Sequence, residues 1–197
     1  MKKLLLSVSL ACLLATPAYA APYISGSVGV GFPGDSDLTD SHGVVDSGGQ
    51  TYKTGVPFGG AVGIKNDSYR LEVALGYQTN TVDTFQHVSD TTNDSVSLFT
   101  YMVNGYYDVD IKNSSITPYV MAGLGGASVN SEIEGEADHT TNVFAWQVGA
   151  GIGIKAANNL TVDLGYRYLK PSSFSDSYGS YTFCSSNFLA GIRYEFN

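Results

Sequence analysis

Apolar and polar residues alternate one by one through eight separate segments of this 197-residue chain, and no charged side chain falls on the apolar parity of any of them. A strand has period two, so each such run sorts its side chains onto the two faces of a sheet. The segments are Tyr23 to Phe32, Thr54 to Lys65, Tyr69 to Gln78, Ser95 to Val109, Thr117 to Val129, Val143 to Lys155, Leu160 to Leu169 and Thr182 to Phe196. The third is the clearest: Tyr69, Leu71, Val73, Leu75 and Tyr77 alternate with Arg70, Glu72, Ala74, Gly76 and Gln78. An Arg or Lys facing lipid from a strand costs about 2–4 kcal/mol at the bilayer midplane. A face cleared of charge through eight strands therefore predicts contact with hydrocarbon.

The two ends of the chain and its connections agree with that reading. Lys2-Lys3, the apolar run Leu4 to Leu14 and Ala18-Tyr19-Ala20 form the three regions of a secretory signal peptide, dividing the chain into a leader, 1–20, and a barrel domain, 21–197. A lipoprotein reading of Cys12 is weaker, because the apolar run continues past it; once Cys12 leaves with the leader, Cys184 has no partner for an intramolecular disulfide. Cys184 reads as a small apolar residue on a strand. Beyond the leader there is no run of about 18 apolar residues, so strands must carry the membrane role. The gaps after the second, fourth and sixth segments are short and hold Asn66-Asp67, Asn113-Ser114 and Asn158-Asn159, which suit tight turns. The other four gaps are long: Pro33 to Tyr52, Asn80 to Asp94, Asn130 to Thr141 and Pro171 to Tyr181. Short periplasmic turns and long external loops are the asymmetry of an outer-membrane barrel.

A soluble eight-stranded barrel also alternates, with apolar residues inside, so parity alone leaves both open. Glycine separates them. Most of the 23 glycines fall on the polar parity, and only Gly26, Gly60, Gly105 and Gly126 on the apolar one. Bare backbone suits the crowded interior of a small barrel and has no use on a water-facing exterior. The apolar-parity aromatics gather at strand ends, with Phe32, Tyr77, Phe99, Phe144 and Tyr168 toward one edge and Tyr69, Tyr107, Tyr194 and Phe196 toward the other. These positions resemble two interfacial girdles. The expected fold is all-β, an eight-stranded antiparallel up-and-down transmembrane β-barrel in the outer membrane.

Arg70-Leu71-Glu72 with Gly76-Tyr77, Asn104-Gly105-Tyr106-Tyr107-Asp108, Pro118-Tyr119-Val120 with Gly123-Leu124-Gly125, Asp163-Leu164-Gly165-Tyr166-Arg167-Tyr168, and Gly191-Ile192-Arg193-Tyr194-Glu195-Phe196 resemble the small outer-membrane barrels of the opacity-protein, surface-antigen and OmpA-like group. The likeness covers nearly the whole chain after the leader. It implies a terminal aromatic signal, here Tyr194 and Phe196, read by the barrel-assembly machinery, although Asn197 displaces Phe196 from the last position. It also implies a place and not a reaction, since members of the group are surface antigens, adhesins, narrow porins or structural anchors.

Arg70, Glu72, Asp108, Asp163, Arg167, Arg193 and Glu195 all lie on the polar parity, which places them in the lumen. Eight strands enclose a space that side chains fill, so the expectation is an ionic plug in which Arg70, Arg167 and Arg193 pair with the carboxylates. The alternative is a gate of rearranging ion pairs that passes water or small ions. The external gaps are acidic: Asp35, Asp37, Asp40 and Asp46; Asp83, Asp90 and Asp94; Glu132, Glu134, Glu136 and Asp138. They read as a solvated, antigenically exposed surface, because no calcium-loop spacing is present to support cation bridging to glycolipid phosphates.

No cofactor or metal is expected. His42 and His139 stand singly, and the glycines of Gly149-Ala150-Gly151-Ile152-Gly153 belong to a strand and not to a nucleotide loop. His87-Val88-Ser89 resembles the His-x-Ser pair of lipid A deacylase barrels, but it lies in a polar gap with no orienting Glu about a dozen residues on. A net charge of -8 argues against nucleic acid. The chain reads as a surface-exposed structural or interaction protein, antigen or adhesin-like, that meets outer-membrane lipids through its strands and an external ligand through its gaps. A narrow porin is the second reading, and a lipid-modifying enzyme the third.

Overall fold

The computed structural model describes residues 20–34, 36–39, 45–52, 54–85, 88–89, 95–132, 139–172, 174–175, 180–182 and 184–196. Eight long strands form the wall: β1 Ala21–Pro33, β2 Phe58–Asn66, β3 Tyr69–Phe85, β4 Ser95–Asp108, β5 Ile116–Glu132, β6 His139–Lys155, β7 Leu160–Pro171 and β8 Ser185–Glu195. Each pairs antiparallel with its sequence neighbours, and β1 pairs with β8 from Tyr23↔Glu195 to Pro33↔Ser185. The sheet is closed on itself, so the long strands leave no free edge within the membrane-crossing part.

The parity read from the sequence is the parity of the wall. Val103 is 51% exposed, Leu124 60% and Ile192 58%, whereas Met102, Asn104, Met121 and Arg193 on the inward parity are buried. Such an apolar exterior is costly in water and at home in hydrocarbon. Aromatic pairs mark its two ends, among them Phe58–Tyr77 with ring centroids at 5.5 Å and Tyr166–Phe188 at 5.3 Å on one side, and Tyr69–Tyr107 at 5.3 Å and Tyr194–Phe196 at 5.1 Å on the other. The outward glycine Gly126 is roofed by the Tyr101 ring.

The pairing Asn66↔Tyr69 leaves only Asp67 and Ser68 to turn the chain, and Asp67 adopts φ 47°. Asn113 adopts φ 61° in the next short turn. Both are residue types that tolerate the left-handed region. Asn113→Ala is expected to lower the unfolding free energy by about 1 kcal/mol, while Asn113→Gly leaves it unchanged or slightly higher. Urea titration of the folded protein in lipid vesicles checks both.

Several boundaries differ from those read in the sequence, β3 for one running on to Phe85 and β6 beginning at His139. β2 begins at Phe58 and not Thr54, because Pro57 has no N–H to give the ladder; Gly55 makes only an isolated bridge to Gly31. β8 begins at Ser185 and not Thr182, because Ser180–Thr182 pairs with Ser36–Thr39 instead. The long gaps also carry strands. Phe174–Ser175, Ser180–Thr182, Ser36–Thr39, Val45–Tyr52, the end of β3 and Val88–Ser89 pair in that order, extending the wall. These segments are short and carry no sustained alternation in the sequence, so no period announces them. Finally, β7 runs on to Pro171, which brings Lys170 onto the outward parity.

Candidate functional site

The inward faces meet in three zones. Nearest the short turns, six charged side chains form one unbroken chain. Asp163 accepts from Arg193 Nε at 3.1 Å and Nη2 at 3.4 Å, and Arg193 Nη1 reaches Glu195 at 2.8 Å. Glu195 also accepts from Lys65 Nζ at 3.4 Å, which stands 4.0 Å from Asp108. Asp108 in turn accepts from Arg70 Nη2 at 2.8 Å and Nε at 3.0 Å. The Arg70 guanidinium lies over the rings of Tyr106, 4.1 Å from its centroid, and Tyr119, at 4.9 Å. Cation–π contact and bidentate pairing together hold it in one orientation.

Glu72 lies just above this floor, 4% exposed, and is held by neutral donors. Tyr106 Oη donates at 2.7 Å, Asn104 Nδ2 at 2.9 Å and Tyr23 Oη at 3.0 Å. Gln147 Nε2 donates to Asn104 Oδ1 at 2.5 Å, fixing the amide that faces Glu72. Glycines on adjoining strands make room for these large groups. A Cβ on Gly63 would sit 2.6 Å from Tyr23 Cζ, and Cβ atoms on Gly151 and Gly165 would each sit 2.5 Å from Tyr119 Oη.

Toward the long connections the lumen is lined differently on its two sides. On one, Gln78 Nε2 donates to Asn80 Oδ1 at 2.8 Å and Ser185 Oγ at 3.2 Å, while Ser185 Oγ also donates to Asn187 at 3.1 Å. On the other, Leu98, Met102, Ala127, Val129, Ala145 and Leu169 pack together. Between floor and roof a cavity of about 120 Å³ remains, lined by Arg167, Tyr119, Gln147, Thr100 and Met121 among others. No buried side-chain N or O among the described residues lacks a hydrogen-bond partner.

Of the seven charged residues expected in the lumen, six lie in the ionic floor or directly above it. Arg167 is the exception to the expected pairing. Its one hydrogen bond among the described residues runs from Nη2 to Tyr106 Oη at 3.5 Å, so it reaches Glu72 only through a hydroxyl. Its register partners Asn187 and Gly149 carry no charge, and the nearest carboxylate on its own strand, Asp163, is committed to Arg193. The lumen is also less polar than expected, because the inward parity toward the long connections carries Leu98, Val129 and Leu169.

Sequence reading missed Lys65, which shares the inward parity of Gly63 and Ala61 at the end of its segment. With it, four cations, Lys65, Arg70, Arg167 and Arg193, match four carboxylates, Glu72, Asp108, Asp163 and Glu195. Asp67 and Asp110 at the short turns are likewise balanced by Lys112 and Lys155. The whole excess of negative charge is therefore carried by the long connections.

The Outer membrane protein beta-barrel domain family matches residues 4–196. The chain belongs to that family. Outer membrane protein PagN of Salmonella typhimurium is 31% identical over 177 residues, which cover 71% of this chain and 73% of the relative. An uncharacterized protein of Brucella abortus is 28% identical over 211 residues, covering 84% and 73%. Among solved structures, Neisserial surface protein A superposes with a TM-score of 0.61 at 20% identity, covering 90% of this chain and 99% of that one. OprG from Pseudomonas aeruginosa gives 0.59 at 13% identity, covering 91% and 97%. The outer-membrane barrel thus has lipid against its apolar exterior, short turns on the periplasmic side and long connections outside the cell.

The remaining residues singled out in the sequence have less to contribute. Tyr194 and Phe196 both face outward near the periplasmic end of β8, and Phe196 N donates to Pro22 O at 2.8 Å. Cys184 lies one residue before β8 and not on it, half-buried, its carbonyl accepting from Gly34 N at 2.8 Å. His42, His87 and residues 1–19 lie outside the described residues, as do Asp35, Asp40, Asp90, Asp94, Glu134, Glu136, Asp138 and Asn197.

Proposed function

We propose that this outer-membrane barrel is a closed scaffold whose outer connections are its working surface, in a surface-antigen or adhesin-like role. The observation that carries this reading is the charge partition: the lumen neutralises itself, and the entire net charge stands outside. A lumen of balanced charge, with an apolar cluster toward the long connections, offers an ion neither a wide path nor a net field. An acidic, strand-stiffened rim offers an external ligand a large surface, and residues 33–52, 80–94, 130–141 and 171–181 are the segments that would meet it. Loops after a rigid scaffold are where binding residues concentrate. The outward aromatics Tyr194 and Phe196 are the part we assign to recognition by the barrel-assembly machinery.

Purified protein in planar bilayers is expected to show no stepwise conductance, and Arg167→Ala, which only enlarges the cavity above an intact floor, to leave it silent. A large open conductance in the unaltered protein overturns the closed scaffold. It would favour the second reading, passage of water or small ions, for which the cavity beside Arg167 is the supporting feature. Shortening the four outer connections is expected to abolish adhesion of expressing cells while leaving the barrel folded.

A further inference from the structure

β7 continues past the alternation that defines it in the sequence. Leu169 is turned inward, 5% exposed in the apolar cluster, so Lys170 beside it faces outward. Its register partner on β6 is Trp146, whose ring centroid lies 5.8 Å from that of Tyr168. From Leu160 to Lys170, a rise of about 3.4 Å per residue on strands tilted about 40° lifts the chain roughly 26 Å, the height of the apolar band. Lys170 thus emerges where hydrocarbon gives way to the head groups of the outer leaflet.

Lys170 is the one outward-facing cation among the described strand residues, and no described carboxylate lies within ion-pair distance of it. A lysine with no counter-ion among the described residues, set in an aromatic girdle at head-group height, is placed to meet an anion of the lipid. The outer connections are acidic and supply none that is described there. The phosphates on the glucosamine head groups of outer-leaflet glycolipid lie at this height. We propose that Lys170, flanked by Trp146 and Tyr168, docks a phosphate of that glycolipid. Trp146 and Tyr168 contribute amphipathic rings suited to the head-group layer. A single lysine next to an anionic lipid surface strengthens association about fivefold. The site rests on the outer-membrane placement and on no property of the lumen, so a conducting barrel leaves it standing.

The test titrates the processed full-length barrel in detergent with lipid A in two forms, diphosphorylated and phosphate-free, and counts bound lipid by native mass spectrometry. The unaltered protein is expected to bind the diphosphorylated form about fivefold more tightly than the phosphate-free form. Lys170→Gln removes that difference, Lys170→Arg keeps it, and Lys112→Gln at a periplasmic turn keeps it as well. Equal binding of the two lipids by the unaltered protein overturns the proposal without any variant. So does a Lys170→Gln protein that still discriminates between them.

Discussion

Arg70→Met is expected to destabilise the barrel by about 3–5 kcal/mol, because it strands the buried Asp108 carboxylate without its main partner. Asp108 is 4% exposed, and its other cation, Lys65, stands 4.0 Å away, too far for a good hydrogen bond. The variant also strips the cation from above Tyr106 and Tyr119. Urea midpoints for refolding into lipid vesicles give the measurement. The double variant Arg70→Met with Asp108→Leu separates pairing from packing. A buried ion pair replaced by apolar groups of similar volume is often neutral, so the double variant should recover most of the loss. A double variant as unstable as the single one would show that the arginine works through packing alone.

The second large effect comes from a residue with no side chain. A Cβ on Gly63 would lie 2.6 Å from the Leu71 carbonyl oxygen and 2.7 Å from Tyr23 Oη. Gly63→Val must therefore displace Tyr23, and with it one of the three donors that hold the buried Glu72. Overpacking costs about 1–3 kcal/mol, and a lost hydrogen bond to a charged group about 1.5–3 kcal/mol. Together these are expected to prevent recovery of the folded, heat-modifiable form on gels. Gly105→Val is the control. It lies on the outward parity with nothing within 4 Å of its Cβ position, so the folded form should persist in full yield. Loss of folding at both glycines would mean that strand propensity, and not lumen crowding, decides the outcome.

These two sites also mark how far the sequence carries. Parity assigns the residues of the eight sequence segments to lipid or lumen, because within them one face carries no charge and the other does; Val103 and Asn104 are told apart by alternation alone. Parity does not give the stagger of strands around the barrel. Which inward residues meet is set by that stagger. Tyr23, Glu72, Asn104 and Tyr106 come from three strands and converge, while Arg167, equally inward, finds only a hydroxyl. Lys65 was hidden by its place at a strand end. The apolar cluster around Leu98 and Leu169 was hidden because an inward leucine on a mostly polar parity looks like noise in one strand and becomes a core only when four strands bring theirs together. The rim strands are short and left no periodic trace.

The seam between β1 and β8 sets a rule for how this molecule can come into being. Tyr23 finds its ladder partner in Glu195, so one edge of the first wall strand, paired with β2 on its other side, stays open until the last strand is made. A product cut short of β8 would carry two rows of bare amides into a medium that cannot solvate them. Insertion is thereby conditional on complete delivery, and an unfinished copy has no stable resting place in the bilayer.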